Sequence, residues 1–175
     1  MPGRFGHPYR FVASCPSTQK LLLADDPEGT VVATDHQTEG RGRFGRVWVD
    51  TPGRSLLFSL LLRPDRPMSD WPELSVLAGE AVAAALPLAA TVLHPNDVMV
   101  GDRKVAGILP EAGDGRVVLG IGVNVNQSAD ELPADARKPP TSLRVELGHE
   151  VERAPLLAAI LAELETRYDA WASVS

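Results

Sequence analysis

The chain has 175 residues, of which 44% are hydrophobic and 23% charged, and its formal net charge is -6. This size and balance are typical of a globular unit with a buried core, so a single domain is expected over residues 1–175. The acidic charge argues against a nucleic-acid partner, because no broad basic surface is available. No apolar run has transmembrane length and no signal-peptide pattern is present, so we expect no membrane association and a cytoplasmic location.

The metal-ligating residue types are sparse. Cys15 is the single cysteine, which excludes an internal disulfide, and its apolar, strand-like surroundings indicate a buried thiol. The four histidines are scattered without paired ligand spacing. No metal site built from a cluster of protein side chains is therefore expected.

The first half of the chain predicts strands and helices in alternation. Ser17 is a good N-cap for a helix that reaches Leu23. A continuous apolar run over residues 55–62 predicts a central strand covered on both faces. An alanine-rich stretch with helical periodicity follows and ends before Pro87. The predicted elements are strands over residues 11–14, 30–34 and 55–62 and helices over residues 17–23 and 71–86.

The second half predicts four more strands and a closing helix. Glycine-containing turns at residues 101–102 and 113–115 join consecutive strands. Residues 127–140 are polar and proline-bearing, so they are predicted to form a surface connection. The predicted elements are strands over residues 90–93, 98–100, 104–109 and 117–125 and a helix over residues 155–171. The pattern predicts an α/β (α+β) fold, a mixed β-sheet with helices mainly on one face.

Residues 40–48, Gly-Arg-Gly-Arg-Phe-Gly-Arg-Val-Trp, form a dense positive loop on an acidic protein. Glycines permit positive φ and close approach to a ligand, and arginines bring donors suited to carboxylate and phosphate oxygens, so we interpret the loop as a clamp for a small anion. A dinucleotide fingerprint is excluded because residues 47–53 cannot open a long helix. A protein-kinase loop is excluded because the other kinase motifs are missing. A basic surface hairpin is the alternative that stays open.

Four further segments accompany this loop in a fixed order: Ser17-Thr18-Gln19, Pro95-Asn96-Asp97, residues 103–111 and residues 120–126. With this order and spacing, the chain resembles the catalytic domain of biotin protein ligases over about residues 14–126. The resemblance implies the sheet-and-helix fold of class II aminoacyl-tRNA synthetases. It also implies ATP-dependent ligation of biotin to a lysine of a biotin carboxyl carrier domain through biotinyl-AMP. ATP and Mg²⁺ would be co-substrate and ion, with biotin as substrate and no tightly bound cofactor.

The same resemblance assigns roles to individual residues. The catalytic set is Arg43, Lys104 and Asp97, where the two cations let the biotin carboxylate approach the α-phosphate. Asp97 is expected to place Mg²⁺, the incoming lysine amine or both, and the sequence leaves these open. The biotin-binding residues are Ser17, Thr18, Gln37, Gly40, Arg41, Gly107, Leu109, Gly120 and Gly122. The nucleotide-binding residues are Arg41, Gly42, Arg43, Trp48, Asn96 and Asn124.

The chain also departs from the pattern of this family. Leu93 and His94 stand where the family carries a lysine and a tryptophan. We expect neither an N-terminal helix-turn-helix domain nor a C-terminal small β-barrel domain, and therefore no repressor activity. Two alternative functions are a module that binds biotin or biotinyl-AMP with weak or no transfer, and a lipoate- or octanoate-type protein ligase. A monomer or weak homodimer is expected.

Overall fold

The computed structural model describes residues 3–174 and contains one seven-stranded sheet. The strand order is β1-β2-β3-β7-β6-β5-β4. Strands β1 and β2 run parallel, and every other neighbouring pair is antiparallel. The strands are β1 (Tyr9–Cys15), β2 (Val31–Gln37), β3 (Ser55–Leu62), β4 (Thr91–Leu93), β5 (Asp97–Val100), β6 (Arg103–Gly113) and β7 (Arg116–Asn124). The predicted mixed sheet is confirmed. Strand β3 has the predicted bounds, and the other predicted strands are present with at least one end shifted by one to four residues.

Three α-helices accompany the sheet in the described part of the chain: α1 (Glu73–Ala85), α2 (Leu143–Leu147) and α3 (Arg153–Ala172). Helices α1 and α3 pack against each other and against one face of the sheet, as predicted. None of the helices in residues 3–174 combines the length and the apolar character that a bilayer crossing requires.

Strand β3 explains how the two faces differ. All eight of its residues are buried, but they alternate between two surroundings. Phe58 and Leu60 join the large core shared with α1 and α3, whereas Leu61 packs with Leu22 in a small cluster on the opposite face. The continuous apolar run therefore reflects a strand covered on both faces, as predicted. The small cluster leaves the middle of the second face available for a site.

The helix predicted from Ser17 to Leu23 is wrong. The chain forms only a short 3-10 turn over Thr18–Leu21, and the Ser17 side chain makes no capping hydrogen bond. The backbone N–H of Thr18 donates instead to Oε1 of Gln37 at 2.9 Å. Within the turn the Lys20 N–H donates to the Ser17 carbonyl at 3.1 Å, but Thr18 is bonded to the sheet. Tertiary contacts therefore override the signal for a longer helix.

The segment over residues 127–140 is more than the predicted surface connection. The Lys104 N–H donates to the Pro139 carbonyl at 2.8 Å, and the Thr141 N–H donates to the Lys104 carbonyl at 2.8 Å. The end of this segment is thereby paired with the beginning of β6. Helix α2, which was not predicted, follows directly: the Ser142 hydroxyl caps it by accepting from the Val145 N–H, and Gly148 ends it with φ of 79°.

The helix-side core sets the stability of the fold. Leu164 on α3 is 1% exposed, so Leu164→Ala is expected to lower the free energy of unfolding by about 2–5 kcal/mol, through lost burial and a residual cavity. Leu23 is 55% exposed, and the control Leu23→Ala should change the free energy of unfolding by less than about 0.5 kcal/mol. Urea unfolding of both variants checks this. Equal destabilisation by the two changes would contradict the assigned core.

Candidate active site

A cavity of about 710 Å³ lies on the sheet face that α1 and α3 leave uncovered. Its floor is formed where β6 and β7 pair, with Gly107 opposite Gly122 and Gly120 two pairs further along, opposite Leu109. A Cβ at Gly122 would lie 2.7 Å from the Trp48 ring, and a Cβ at Gly120 would lie 2.8 Å from the Gln19 carboxamide. The absence of side chains at these positions therefore creates the room that other elements occupy.

Residues 40–48 fold into a small hairpin over this cavity. The Trp48 N–H donates to the Gly40 carbonyl at 2.9 Å. A Cβ at Gly40 would lie 2.5 Å from the Trp48 carbonyl oxygen, so the close approach of the two strands requires glycine there. At the tip, Phe44 and Gly45 both have positive φ, of 59° and 71°. The hairpin alternative is thus correct about shape, but the hairpin lines the cavity and is not merely a solvated surface.

The arginines of the hairpin have different surroundings. Arg43 Nη1 donates to Asn96 Oδ1 at 3.4 Å, and Asn96 Nδ2 donates in turn to the Ile108 carbonyl at 3.0 Å. Arg43 is therefore linked through Asn96 to β6. Arg41 instead pairs with Glu111 at 2.7 Å, and both side chains are more than two-fifths exposed. Of these two cations, Arg43 is the one directed to the segment that carries Asp97.

Asp97 accepts hydrogen bonds from two ammonium groups. Its side chain is 8% exposed, and Lys104 Nζ lies 2.8 Å from Oδ1 while Lys138 Nζ bonds to Oδ2. Burial raises the pKa of the Asp97 carboxyl, but the hydrogen bonds from Lys104 and Lys138 outweigh burial and hold the pKa below its ordinary value. Lys104 Nζ also lies 5.6 Å from the centroid of the Trp48 ring. Asp97 is therefore an anion that fixes two cations at one end of the cavity.

The other end of the cavity is polar and neutral. Gln37 Oε1 accepts from the Thr18 N–H, and Thr18 Oγ1 lies 2.7 Å from Ser59 Oγ, which projects from β3. Gln19 Nε2 donates to the Leu109 carbonyl at 2.9 Å. Ser17 lines the same end and is 2% exposed. Ser17, Thr18 and Gln37, which were predicted to bind biotin, thus line the same cavity, and Thr18 and Gln37 are hydrogen-bonded to each other.

Asn124 lies on the same floor strand as Gly120 and Gly122. Its Oδ1 accepts from Gln127 Nε2 at 3.1 Å, and Gln127 Nε2 also donates to Ser55 Oγ at 2.7 Å. Both Asn124 and Gln127 are buried. This network gives the buried amide of Asn124 a hydrogen-bond partner. Nucleotide binding by Asn124, Gly42 and Trp48 stays a prediction.

Gln19, Ser59 and Lys138 line or support the site and were not predicted. Gln19 follows directly on the predicted pair Ser17-Thr18, so its position in the motif was the available signal. Ser59 interrupts the apolar run of β3, where a hydroxyl needs a partner. Lys138 lies 41 residues after Asp97 in a polar segment, and no local pattern joins the two.

The side chains present do not form a magnesium site. Within residues 3–174, no group of three or more His, Cys, Asp or Glu side chains is placed to hold a metal ion. Both carboxylate oxygens of Asp97 accept from lysines, so neither is open to a cation in this arrangement. The expectation of Mg²⁺ near Asp97 thus has no matching donor set among the residues that the structure describes. Cys15 is a buried free thiol, as predicted, and burial raises its pKa.

A sequence model of the biotin/lipoate A/B protein ligase family matches residues 11–128. The chain belongs to this family. It is 41% identical over 165 residues to the bifunctional ligase/repressor BirA of Bacillus spizizenii, covering 87% of this chain and 51% of that protein. It is 40% identical over 174 residues to the biotin–[acetyl-CoA-carboxylase] ligase of Mycobacterium tuberculosis, covering 91% of this chain and 64% of that protein. The chain thus spans between half and two thirds of the length of these relatives.

The fold agrees with solved structures of the family. The biotin protein ligase of Aquifex aeolicus, solved in complex with biotin and ATP, superposes with a TM-score of 0.87 at 30% identity. The match covers 95% of this chain and 72% of that chain. The resemblance to biotin protein ligases and the predicted fold are therefore confirmed. The roles of individual residues in this family member stay predictions.

Position 93 lies outside the cavity. Leu93 is 44% exposed at the end of β4 and is not among the residues that line the cavity. A lysine side chain at this position would therefore be solvated and not buried.

Leu93→Lys should change the free energy of unfolding by less than about 0.5 kcal/mol and leave any ATP-dependent activity unchanged, since the added charge is exposed and outside the site. Thermal melting and the KM for ATP check this. Met68→Lys, at another exposed apolar position, is the matched control. A lower KM for ATP in Leu93→Lys alone would show that the position acts on the nucleotide.

Gly122→Ala tests the floor of the cavity. The new methyl group would lie 2.7 Å from the Trp48 ring, so the indole must move, with an overpacking cost of about 1–3 kcal/mol. A changed tryptophan emission maximum and increased acrylamide quenching are expected. Gly113→Ala, whose Cβ would meet no heavy atom within 4 Å, is the control. Identical spectra for the two variants would contradict the contact between Trp48 and the floor.

Proposed function

We propose that this chain catalyses the ATP-dependent ligation of biotin to a lysine of a biotin carboxyl carrier domain through biotinyl-AMP. The observation that carries the proposal is the arrangement of Lys104 and Arg43 around the cationic end of a glycine-floored cavity whose other end is polar and neutral. The similarity to ligases that are named for biotin supports it.

The neutral end suits the ureido ring of biotin. A ureido group presents one carbonyl acceptor and two N–H donors, so it needs fixed polar partners in an otherwise apolar pocket. Thr18 and Gln37 supply a hydroxyl and a carboxamide that are already oriented by each other and by Ser59. An octanoyl chain or a dithiolane ring has no such donors and would form no hydrogen bond with these groups. The polar end therefore favours biotin over lipoate or octanoate.

The cationic end suits the meeting of two anions. In the first half-reaction, a biotin carboxylate oxygen bonds to the α-phosphorus of ATP while the bond from that phosphorus to the leaving oxygen breaks, and pyrophosphate departs with the electron pair. Lys104 and Arg43 would act as fixed cations and donors for these oxygens without changing protonation state. Mg²⁺ is proposed to enter with the ATP phosphates rather than on a protein cluster.

The hairpin over residues 40–48 would then cover the adenylate. It is joined to β6 through Arg43 and Asn96, so ordering of the hairpin and positioning of a cation are coupled. Exclusion of water protects a mixed anhydride that hydrolyses readily. In the second half-reaction, the lysine amine of the carrier domain attacks the biotinyl carbonyl and AMP leaves.

The absence of a nucleic-acid partner and the monomer or weak homodimer stay predictions.

Pyrophosphate release with biotin, lipoate and octanoate, compared side by side, tests the proposal. A rate that depends on biotin, followed by biotin transfer to a purified carrier domain, is expected. Pyrophosphate release without transfer would identify a module that forms and holds the adenylate. Preference for lipoate or octanoate would overturn the assignment of the substrate.

Lys104→Met should lower the rate of adenylate formation by about 10²–10³-fold, because it removes a fixed cation from the transition state. The fold should persist, since Asp97 keeps Lys138 as a partner. Single-turnover formation of biotinyl-AMP, resolved by chromatography, measures the effect. Lys20→Met is the control, because Lys20 is about half exposed and pairs with Glu39. An unchanged rate in Lys104→Met would contradict the assigned role.

A further inference from the structure

Two of the three lysines in this chain contact a single carboxylate. Lys104 is the second residue of β6, and Lys138 belongs to the segment over residues 127–140. The third lysine, Lys20, pairs with Glu39 on the surface. In an acidic chain that has so few lysines, this convergence on the buried Asp97 needs a physical reason.

The charge balance supplies one. Lys104 alone beside Asp97 would form a neutral pair, and a buried carboxylate would hold the ammonium group tightly. Lys138 bonds to the second carboxylate oxygen, so the three side chains together carry a net charge of one positive unit. Lys104 and Lys138 are 26% and 33% exposed, so both ammonium groups remain accessible from the cavity that they line.

The backbone fixes this arrangement. The Lys104 N–H donates to the Pro139 carbonyl, and the Lys104 carbonyl accepts from the Thr141 N–H, each at 2.8 Å. Lys138 directly precedes the paired residues, so its Cα cannot move far from β6. A long side chain on a mobile segment would lose more conformational freedom on bonding to Asp97. The backbone pairing of residues 139–141 with Lys104 therefore holds Lys138 at the site.

We propose that Lys138 is a positioning residue for carboxylate activation: it neutralises Asp97, so that the charge of Lys104 is available to the carboxylate and phosphate oxygens of the substrates. Lys138 takes no proton and forms no bond to the reacting atoms. The inference rests on the proposed function, because adenylation is the step that needs this charge.

Lys138→Gln, Lys138→Arg and Asp97→Asn are compared with the parent, alone and as the Lys138→Gln/Asp97→Asn double variant. Lys138→Gln should lower the single-turnover rate of adenylation by about 10- to 100-fold, the range for a hydrogen bond to a charged group. The KM for ATP should change much less. Lys138→Arg should restore most of the rate. In the Asp97→Asn background, Lys138→Gln should lower the adenylation rate by less than about threefold, because no carboxylate remains to be neutralised. Lys20→Gln is the control.

The competing role is that of an anchor for the segment over residues 127–140. An anchor would raise the KM for ATP and leave the rate at saturation unchanged. That result overturns the proposal, as does an equal cost of Lys138→Gln with and without Asp97. Melting temperatures verify that each variant is folded. If Lys138→Gln is unstable, the test rests on Lys138→Arg, which must keep most of the parent rate.

Calorimetry with a nonhydrolysable biotinyl-adenylate analogue separates this inference from the proposed function. Lys138→Gln should weaken binding of the anionic analogue about tenfold and should weaken binding of biotin as well, because the biotin carboxylate meets the same charge. A parent chain that binds the analogue but makes no biotinyl-AMP would contradict the proposed function and still test Lys138. A parent that binds neither molecule would overturn both.

Discussion

Three glycines on two neighbouring strands determine where this molecule has room for a ligand. Gly107, Gly120 and Gly122 lie on β6 and β7, in the middle of the sheet face that the helices do not cover. Glycine weakens a strand, because it has no side chain to pack and loses more backbone freedom on folding. The reverse face compensates, since Ile108, Ile121 and their neighbours are buried against the helices.

Electrostatics then divides the resulting cavity into two ends. The chain is acidic overall, yet Arg43, Lys104 and Lys138 are gathered around Asn96 and Asp97 at one end. A positive region within an acidic surface concentrates anionic ligands at one place and does not attract polyanions in general. The neutral end uses only hydroxyl and carboxamide groups, so orientation of a ligand follows from which of its ends carries negative charge.

Much of the fold could be predicted from the sequence, because strands and long helices carry a periodic signal. The apolar run of β3 and the alanine-rich α1 were predicted with nearly correct bounds. The turn after Ser17 was predicted wrongly, since Thr18 bonds to residues that are distant in the sequence. Helix α2 has only five residues, too few for a periodic pattern to identify it.

The candidate site was predicted unevenly for the same reason. The Arg-Gly hairpin and the segment over residues 103–111 are compact motifs, and most of the hairpin lines one cavity with Lys104, Gly107 and Leu109. Gly40, which was predicted to bind biotin, does not line it. Glycine roles were predicted partly for the wrong reason: in the hairpin, Gly40 is required by close approach, and only Gly45 among its three glycines has positive φ. Lys138 could not be predicted, because its meeting with Asp97 depends on the path of an irregular segment.

A crystal structure with a nonhydrolysable biotinyl-adenylate analogue tests the central claim most directly. We expect the ureido ring beside Thr18 and Gln37, and the phosphate-like group within hydrogen-bond distance of Lys104 and Arg43. The segment that joins them should lie over the glycine floor of β6 and β7. A ligand bound in the reverse orientation, or outside this cavity, would contradict the account.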